Sequence, residues 1–120
     1  MKILAEQLTG EQQAYLAGKV AEGIWQPSEH FLASLARRHI SMAKVRCAIR
    51  FGRLVAFSND TKTRRVLLKD EETGVCVVLD LDTKEAVTIY ANNLGDTHAT
   101  LDRSQYVQTA VPDYLITQKM

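Results

Sequence analysis

The spacing of apolar residues along the chain changes at Gly52. Before this glycine, apolar residues recur every three or four positions, which is the period of helices that bury one face. After it, β-branched and aromatic residues come in short runs between turn sequences such as SNDTKT, DEETG and DTK, and these features are typical of strands. The pattern therefore predicts helices in the first half of the chain and a sheet after them.

Two of the three predicted helices have clear end signals. The first covers about residues 10–22, and Thr9 and Gln12 are spaced as a capping box at its start. The third begins at Ser41, a good N-cap residue, and ends at Gly52. These helices are each long enough to bury one side against a sheet.

The second helix is predicted over residues 28–38, with Ser28 as its N-cap. At about 100° per residue, His30 and Arg37 point nearly the same way and Arg38 lies at their flank. The imidazole of His30 is therefore not predicted to lie in the core. The predicted buried stripe of this helix consists of Phe31, Leu32 and Leu35.

Four strands are predicted after Gly52, and their connections are too short for parallel crossovers. They should therefore form an antiparallel meander with two helices on one face, which is an α+β fold. In the last strand, Thr88 and Tyr90 alternate with Val87 and Ile89, so the first pair should lie on the face away from the helices. The predicted strands cover residues 54–57, 65–69, 75–81 and 86–90.

The length of 120 residues predicts a single domain. We divide it into an N-terminal helical extension at 1–27, a core at 28–90 and a C-terminal extension at 91–120. The C-terminal part has no clear period, although residues 106–111, just before Pro112, have the composition of a strand.

Apolar runs and cysteines indicate the compartment. No apolar run reaches the length of a membrane span, and the first residues lack the apolar segment of a secretory signal. Cys47 and Cys76 fall in apolar segments without zinc-ligand spacing, so we expect buried free thiols. The sequence predicts a cytoplasmic protein with no membrane partner.

The formal net charge of +1 hides an uneven distribution. Between Arg37 and Arg65, Lys and Arg are opposed only by Asp60, whereas carboxylates prevail from Asp70 onward. This polarity favours a basic face that binds a polyanion; the alternative is a solvated helix surface, or charges that pair after folding. The predicted RNA-binding residues on the basic segment are Arg37, Arg53, Arg64 and Arg65.

The residues HFLASLARRHIS, a short helix, a glycine and a strand run ending in VTIY follow one another over about half of the chain. In order and spacing they resemble a family of bacterial and phage domains linked to the barnase–EndoU–colicin–RelE superfold of small RNases and toxins. The resemblance implies that His30 and Arg38 sit in an active cleft. It also implies a RelE/barnase-like arrangement of helices and sheet.

The predicted chemistry is RNA transesterification, in which a ribose 2′-hydroxyl attacks the adjacent phosphate. The imidazole of His30 would serve as base or acid, and Arg38 would stabilise the growing phosphoryl charge. Thr88 could hydrogen-bond a phosphate oxygen, and Tyr90 could stack on a base or donate a proton. His, Asp and Glu show no metal-ligand spacing, so neither a metal nor another cofactor is expected.

A protein from another class is the alternative: a non-catalytic phage or mobile-element protein that binds and modulates a host protein. The family often has a basic residue four positions after the His, where this chain has Ser34. That difference and the near-neutral charge favour the alternative, with residues 91–120 as its contact surface. A cognate antitoxin or immunity protein is a further possible partner.

Overall fold

The computed structural model describes residues 1–60, 63–91 and 103–118, which form a mixed α+β fold. Two short 3₁₀ turns, Ala5–Gln7 and Arg103–Gln105, accompany the regular elements. The strands are β1 (Lys2–Leu4), β2 (Gln26–Pro27), β3 (Arg53–Asn59), β4 (Arg64–Lys69), β5 (Val75–Asp80) and β6 (Glu85–Ala91). The helices are α1 (Gly10–Glu22), α2 (Glu29–Arg38), α3 (Met42–Phe51) and α4 (Tyr114–Thr117).

The sheet has six strands in the order β1-β3-β4-β5-β6-β2. Its four central strands are consecutive and antiparallel, as the short connections predict. β1 adds to one edge antiparallel to β3, whereas β2 adds to the other edge parallel to β6. The predicted four-stranded, wholly antiparallel sheet was therefore incomplete, because β1 and β2 are too short to show a period of two in the sequence.

The helices begin at the predicted caps. Thr9 and Gln12 form both hydrogen bonds of the capping box at the start of α1. The hydroxyl of Ser41 accepts a hydrogen bond from the backbone of the first turn of α3. Gly52 ends α3, and a Cβ at this position would overlap the carbonyl of Ala48. A glycine is therefore required where α3 turns into β3.

One face of the sheet packs on the helices. The helical side of this core comprises Leu16, Val20, Phe31, Leu35, Val45 and Ala48. In α2 the buried stripe is Phe31, Ser34 and Leu35, whereas Leu32 is 49% exposed, so the predicted place of Leu32 was wrong. The reason is that α2 lies against β6 at the edge of the sheet and buries only a narrow stripe at positions i, i+3 and i+4.

The two cysteines have different surroundings. Cys76 is buried, as predicted, but Cys47 is exposed. α3 turns Val45 and Ala48 toward the core, and Cys47 lies about 100° around the helix from Ala48. The apolar composition around Cys47 therefore did not indicate burial.

Residues 103–118 return to the beginning of the chain and to β3. Val107 forms a single β-bridge with Ile3 instead of the strand predicted at 106–111. The buried Asn59 donates hydrogen bonds to the carbonyls of Leu115 and Gln118 at 2.6 and 2.8 Å. Ile3, Leu16 and Ile116 all belong to one core cluster, so the segments predicted as extensions share a core with residues 28–91. Within the described ranges, no helix is long and apolar enough to cross a membrane.

Candidate functional site

The sheet has a second face, opposite the helix-packed core. On this open face four residues of the central strands align in register: Ala56, Leu67, Val78 and Thr88. A β-bulge in β6 leaves Val87 without a partner, so Ala86 and Ile89 both face the core while Thr88 and Tyr90 face away from it. Thr88 and Tyr90 therefore face away from the core, as predicted, but Val87, which was expected to face the helices with Ile89, lies in the bulge, and Ala86 is buried in the core instead.

A cavity of about 600 Å³ lies on this side of the sheet; we call it the open-face cavity. Its polar lining consists of cations, phenols and a hydroxyl, without a carboxylate among the described lining residues. Alanine, leucine and valine side chains of β3, β4 and β5 contribute an apolar floor. The residues whose side chains give the cavity its chemical character are Lys2, Arg38, Ser58, Arg65, Tyr90 and Tyr106.

Arg38 reaches the open-face cavity because of how α2 ends and where it lies. β2 pairs with β6, so α2 starts at the edge of the sheet. His39 then takes a left-handed conformation (φ 55°) that ends the helix directly after Arg38. Arg38 is exposed, and within the described part of the chain it forms no ion pair. Its guanidinium is available to an anion in the cavity.

His30 does not line the open-face cavity, but it contacts Thr88, whose cross-strand partner Val78 does line it. Its Nε2 is 3.2 Å from the Oγ1 of Thr88. Ser28 holds the start of α2 in place, because its hydroxyl accepts from Phe31 N at 3.0 Å and donates to the Val87 carbonyl at 2.9 Å. Thr88 is two residues from Tyr90 on the same strand face, a separation of about 7 Å. The structure thus brings His30 and Thr88 together, and Arg38 and Tyr90 to one cavity.

Tyr90 links the open-face cavity to a buried thiol. Its phenol hydrogen-bonds the thiol of Cys76, and Lys69, which is also buried, pairs with Cys76 across β4 and β5. Burial raises the pKa of the Cys76 thiol, although the positive charge of Lys69 and the hydrogen bond from Tyr90 act in the opposite direction. The thiol is therefore neutral near pH 7.

The predicted RNA-binding arginines differ in availability. Arg64 is bound to Asp82 at 3.0 Å and to the Ile116 carbonyl at 3.1 Å, and its side chain is only 12% exposed. Arg53 forms an ion pair with Glu71, which lowers the pKa of that carboxyl. These two guanidiniums have internal partners, which was the alternative that the sequence left open.

Arg65 and Arg37 remain accessible. Arg65 contacts the buried carboxylate of Asp80 through Nε at 3.4 Å, yet its side chain is 43% exposed and lines the open-face cavity. Arg37 is exposed on α2, and its Nη2 lies 3.5 Å from the hydroxyl of Ser34. Arg37 does not line the cavity. Of the four predicted RNA-binding arginines, Arg65 alone lines it.

Lys2 and Tyr106 line the open-face cavity but were not predicted. They come together because the backbone N–H of Val107 donates to the carbonyl of Lys2 at 2.8 Å, which places residues 106 and 2 side by side. Burial raises the pKa of the Tyr106 phenol. This contact joins distant parts of the chain, so no local pattern in the sequence could have revealed it.

The described ranges contain no group of three or more His, Cys, Asp and Glu side chains placed to hold a metal ion. Comparisons of the chain with protein-family models, with curated proteins and with solved structures gave no match. The RelE/barnase-like assignment therefore stays a prediction.

Proposed function

We propose that the open-face cavity binds single-stranded RNA and that His30 cleaves it without a metal, in the manner of a small RNase toxin. The observation that carries this proposal is the composition of the cavity: three cations and two phenols surround an apolar floor, and no carboxylate lies among the described lining residues. His30 is outside this lining and contacts Thr88, the cross-strand partner of the cavity residue Val78, so the scissile phosphate would have to extend from the cavity toward Thr88.

This composition suits a nucleotide better than a simple anion or an apolar ligand. Lys2, Arg38 and Arg65 supply positive charge for a phosphate, and arginine binds phosphate oxygens through two parallel N–H groups. Tyr106 lines the cavity, and its aromatic ring would be the surface on which a base stacks. A volume of about 600 Å³ is in the range of cavities that hold small organic ligands.

A single-stranded RNA fits the cavity because its bases are free to leave the stack. Stacking on an aromatic side chain requires an unpaired base, which a duplex does not offer without unwinding. RNA also carries the 2′-hydroxyl on which cleavage by imidazole depends, and DNA lacks it.

In the proposed reaction, His30 takes the proton of the 2′-hydroxyl. The 2′-oxygen then bonds to phosphorus, the bond from phosphorus to the 5′-oxygen breaks, and the Tyr90 phenol gives that oxygen a proton which solvent restores. Thr88 orients the imidazole through Nε2, which leaves Nδ1 for proton transfer. Arg38 stabilises the charge on the phosphoryl oxygens, an interaction that in enzymes contributes several kcal/mol.

The test is incubation of the purified protein with an end-labelled RNA of mixed sequence in EDTA. We expect products with a 2′,3′-cyclic phosphate, identified by mass spectrometry, and no cleavage of DNA of the same sequence. His30→Ala should lower the rate by about a hundredfold, the scale of one general base. Arg38→Ala should weaken both binding and cleavage, whereas Arg37→Ala, its neighbour outside the cavity, should behave like the wild type.

The outcomes separate binding from catalysis. RNA that is bound but left intact would remove the catalytic part and leave an RNA-binding protein. RNA that is neither bound nor cut would remove both parts, and a protein partner, the alternative from the sequence, would then be the leading function.

A further inference from the structure

A second concave surface lies on the helical side of the molecule, opposite the open-face cavity. It has a volume of about 680 Å³, and we call it the α2–α3 groove. Trp25 and Phe31 form one wall, and α3 forms the other with Met42, Arg46 and Phe51. Most of its remaining lining is apolar as well.

The apolar ends of this groove face solvent. Phe51 is 73% exposed and Met42 is 43% exposed, although both line the groove. They lie at opposite ends of α3, so the groove extends for about 14 Å along the helix at a rise of 1.5 Å per residue. Exposed apolar residues that share one groove indicate a contact surface more than single scattered ones do.

The charged residues that line the α2–α3 groove, within the described part of the chain, are both cations. α3 contains Lys44, Arg46 and Arg50 and no carboxylate, and the two arginines line the groove. The ammonium of Lys84 lies 5.6 Å from the ring of Trp25 on the opposite wall. No ion pair involves these cations within the described residues, in contrast to the paired arginines of β3 and β4.

We propose that the α2–α3 groove binds an amphipathic helix of another protein, one whose apolar stripe is flanked by Asp and Glu. A helix presents apolar residues at positions i, i+3 or i+4, and i+7, and about two and a half turns of it match the length of about 14 Å between Met42 and Phe51. Its carboxylates would pair with Arg46 and Arg50. This proposal does not depend on RNA binding, because the open-face cavity lies on the other side of the sheet.

A partner helix suits this surface better than a partner strand. Strand addition needs a free edge with several backbone N–H groups, but β2 beside the groove has only two residues, and Pro27 has no N–H. The phosphates of an RNA could pair with the cations of this groove, but its backbone has no apolar surface to cover Trp25, Met42 and Phe51.

The test uses a synthetic 14-residue helical peptide with Leu at positions i, i+3 and i+7 and with Glu on both flanks. A peptide with Lys in place of each Glu serves as the charge-reversed probe. Trp25 is the single tryptophan of the chain and lines the groove, so its emission reports occupancy directly. We expect saturable binding of the acidic peptide and at least tenfold weaker binding of the Lys peptide, the ratio expected if the flanking charges contribute.

Matched variants distinguish binding in the groove from attraction to positive charge elsewhere on the protein. Arg46→Glu combined with Arg50→Glu should weaken binding of the acidic peptide by about tenfold or more. Lys44→Glu, on the same helix but outside the groove, should change the Kd of this peptide by less than about threefold. Phe51→Ala should also weaken it, since this ring supplies exposed apolar area. Circular dichroism establishes that each variant is folded.

A second measurement uses the two thiols of the wild-type chain. Cys47 is exposed and lines the groove, so a bound peptide should slow its alkylation by iodoacetamide, while the buried Cys76 serves as the internal reference for folding. Unchanged Trp25 emission and unchanged Cys47 alkylation up to about 1 mM peptide would overturn the proposal. Equal binding of the Lys peptide would also overturn it. A third contrary result would be protection of Cys47 by an RNA, or by dimerisation of the chain seen in light scattering, without any effect of the peptide.

Discussion

At the scale of single residues, the site depends on side chains whose partners are distant in the sequence. His30 was predicted to lie outside the buried stripe of α2, and it does; Thr88 faces away from the core, as predicted, but its hydroxyl contacts His30 of α2. Their contact at 3.2 Å could not be predicted, because it depends on the position of α2 at the edge of the sheet. The sequence also could not show which arginines are free to bind an anion, because Arg53 and Arg64 form ion pairs with carboxylates only in the folded protein.

Replacing Thr88 with Val tests whether the hydroxyl orients His30. Val has nearly the same shape and a good strand propensity, so the fold should be kept. If our proposed function holds, cleavage should fall by about fivefold, with RNA affinity unchanged, because one orienting hydrogen bond of about 1 kcal/mol is lost. NMR of the His30 ring nitrogens provides a readout besides activity, and unchanged imidazole signals would show that Thr88 has no such role.

The raised pKa of Cys76 predicts a loss of stability at high pH. The folded protein holds this thiol proton more tightly than the unfolded chain does. The resulting stability is fully present below the thiol's ordinary pKa of about 9 and is lost as the pH rises through the folded value. Urea unfolding from pH 7.5 to 10.5 should therefore show a steeper decline for the wild type than for Cys76→Ala. Cys47→Ala, which removes an exposed thiol, should keep the wild-type slope.

At the scale of elements, caps and turns made the helices and the central strands predictable. The strands at the two edges of the sheet were not predictable. Thr9, Ser28, Ser41 and Gly52 end or begin helices as their residue types indicate. The additions at the two sheet edges, β1 and β2, have three and two residues, and such short segments lack any period. The bulge at Val87 was missed for a similar reason, because one extra residue in a strand leaves the local composition unchanged.

Ser28 offers a test of how α2 positions the site. Its hydroxyl both caps α2 and bonds the Val87 carbonyl, so Ser28→Ala should cost about 1–2 kcal/mol in the free energy of unfolding and should move His30 relative to Thr88. Ser41→Ala removes a cap of the same type from α3, with no link to β6. It should cost a similar or smaller amount and leave cleavage unchanged. Equal effects of both variants on cleavage, after correction for stability, would argue against positioning by Ser28.

At the scale of the whole molecule, the two ends of the chain complete both the core and the candidate site. Ile3, Leu16 and Ile116 are fully buried beside strands that belong to residues 28–91, and Lys2 and Tyr106 complete the lining of the open-face cavity. The sequence divided the chain at residues 27 and 91 because the recognisable pattern stops there. A local pattern reveals elements, but it does not reveal which distant segments pack together, and these contacts decide what a surface can bind.

A fragment of residues 28–91 should therefore fail to fold cooperatively. It lacks Ile3, Leu16, Val20 and Ile116, all buried in the full chain, and each such side chain contributes about 1.5–3 kcal/mol through burial. Their sum is comparable to the whole stability of a small domain, about 5–15 kcal/mol. Circular dichroism during heating should show no sharp transition for the fragment and one transition for the full chain. A fragment that unfolds in a sharp transition would show instead that residues 28–91 are an independent domain and that both ends are additions to it.

In the full chain, Lys2→Ala combined with Tyr106→Ala alters the cavity without removing buried core residues, so the fold should persist while RNA affinity falls by roughly tenfold.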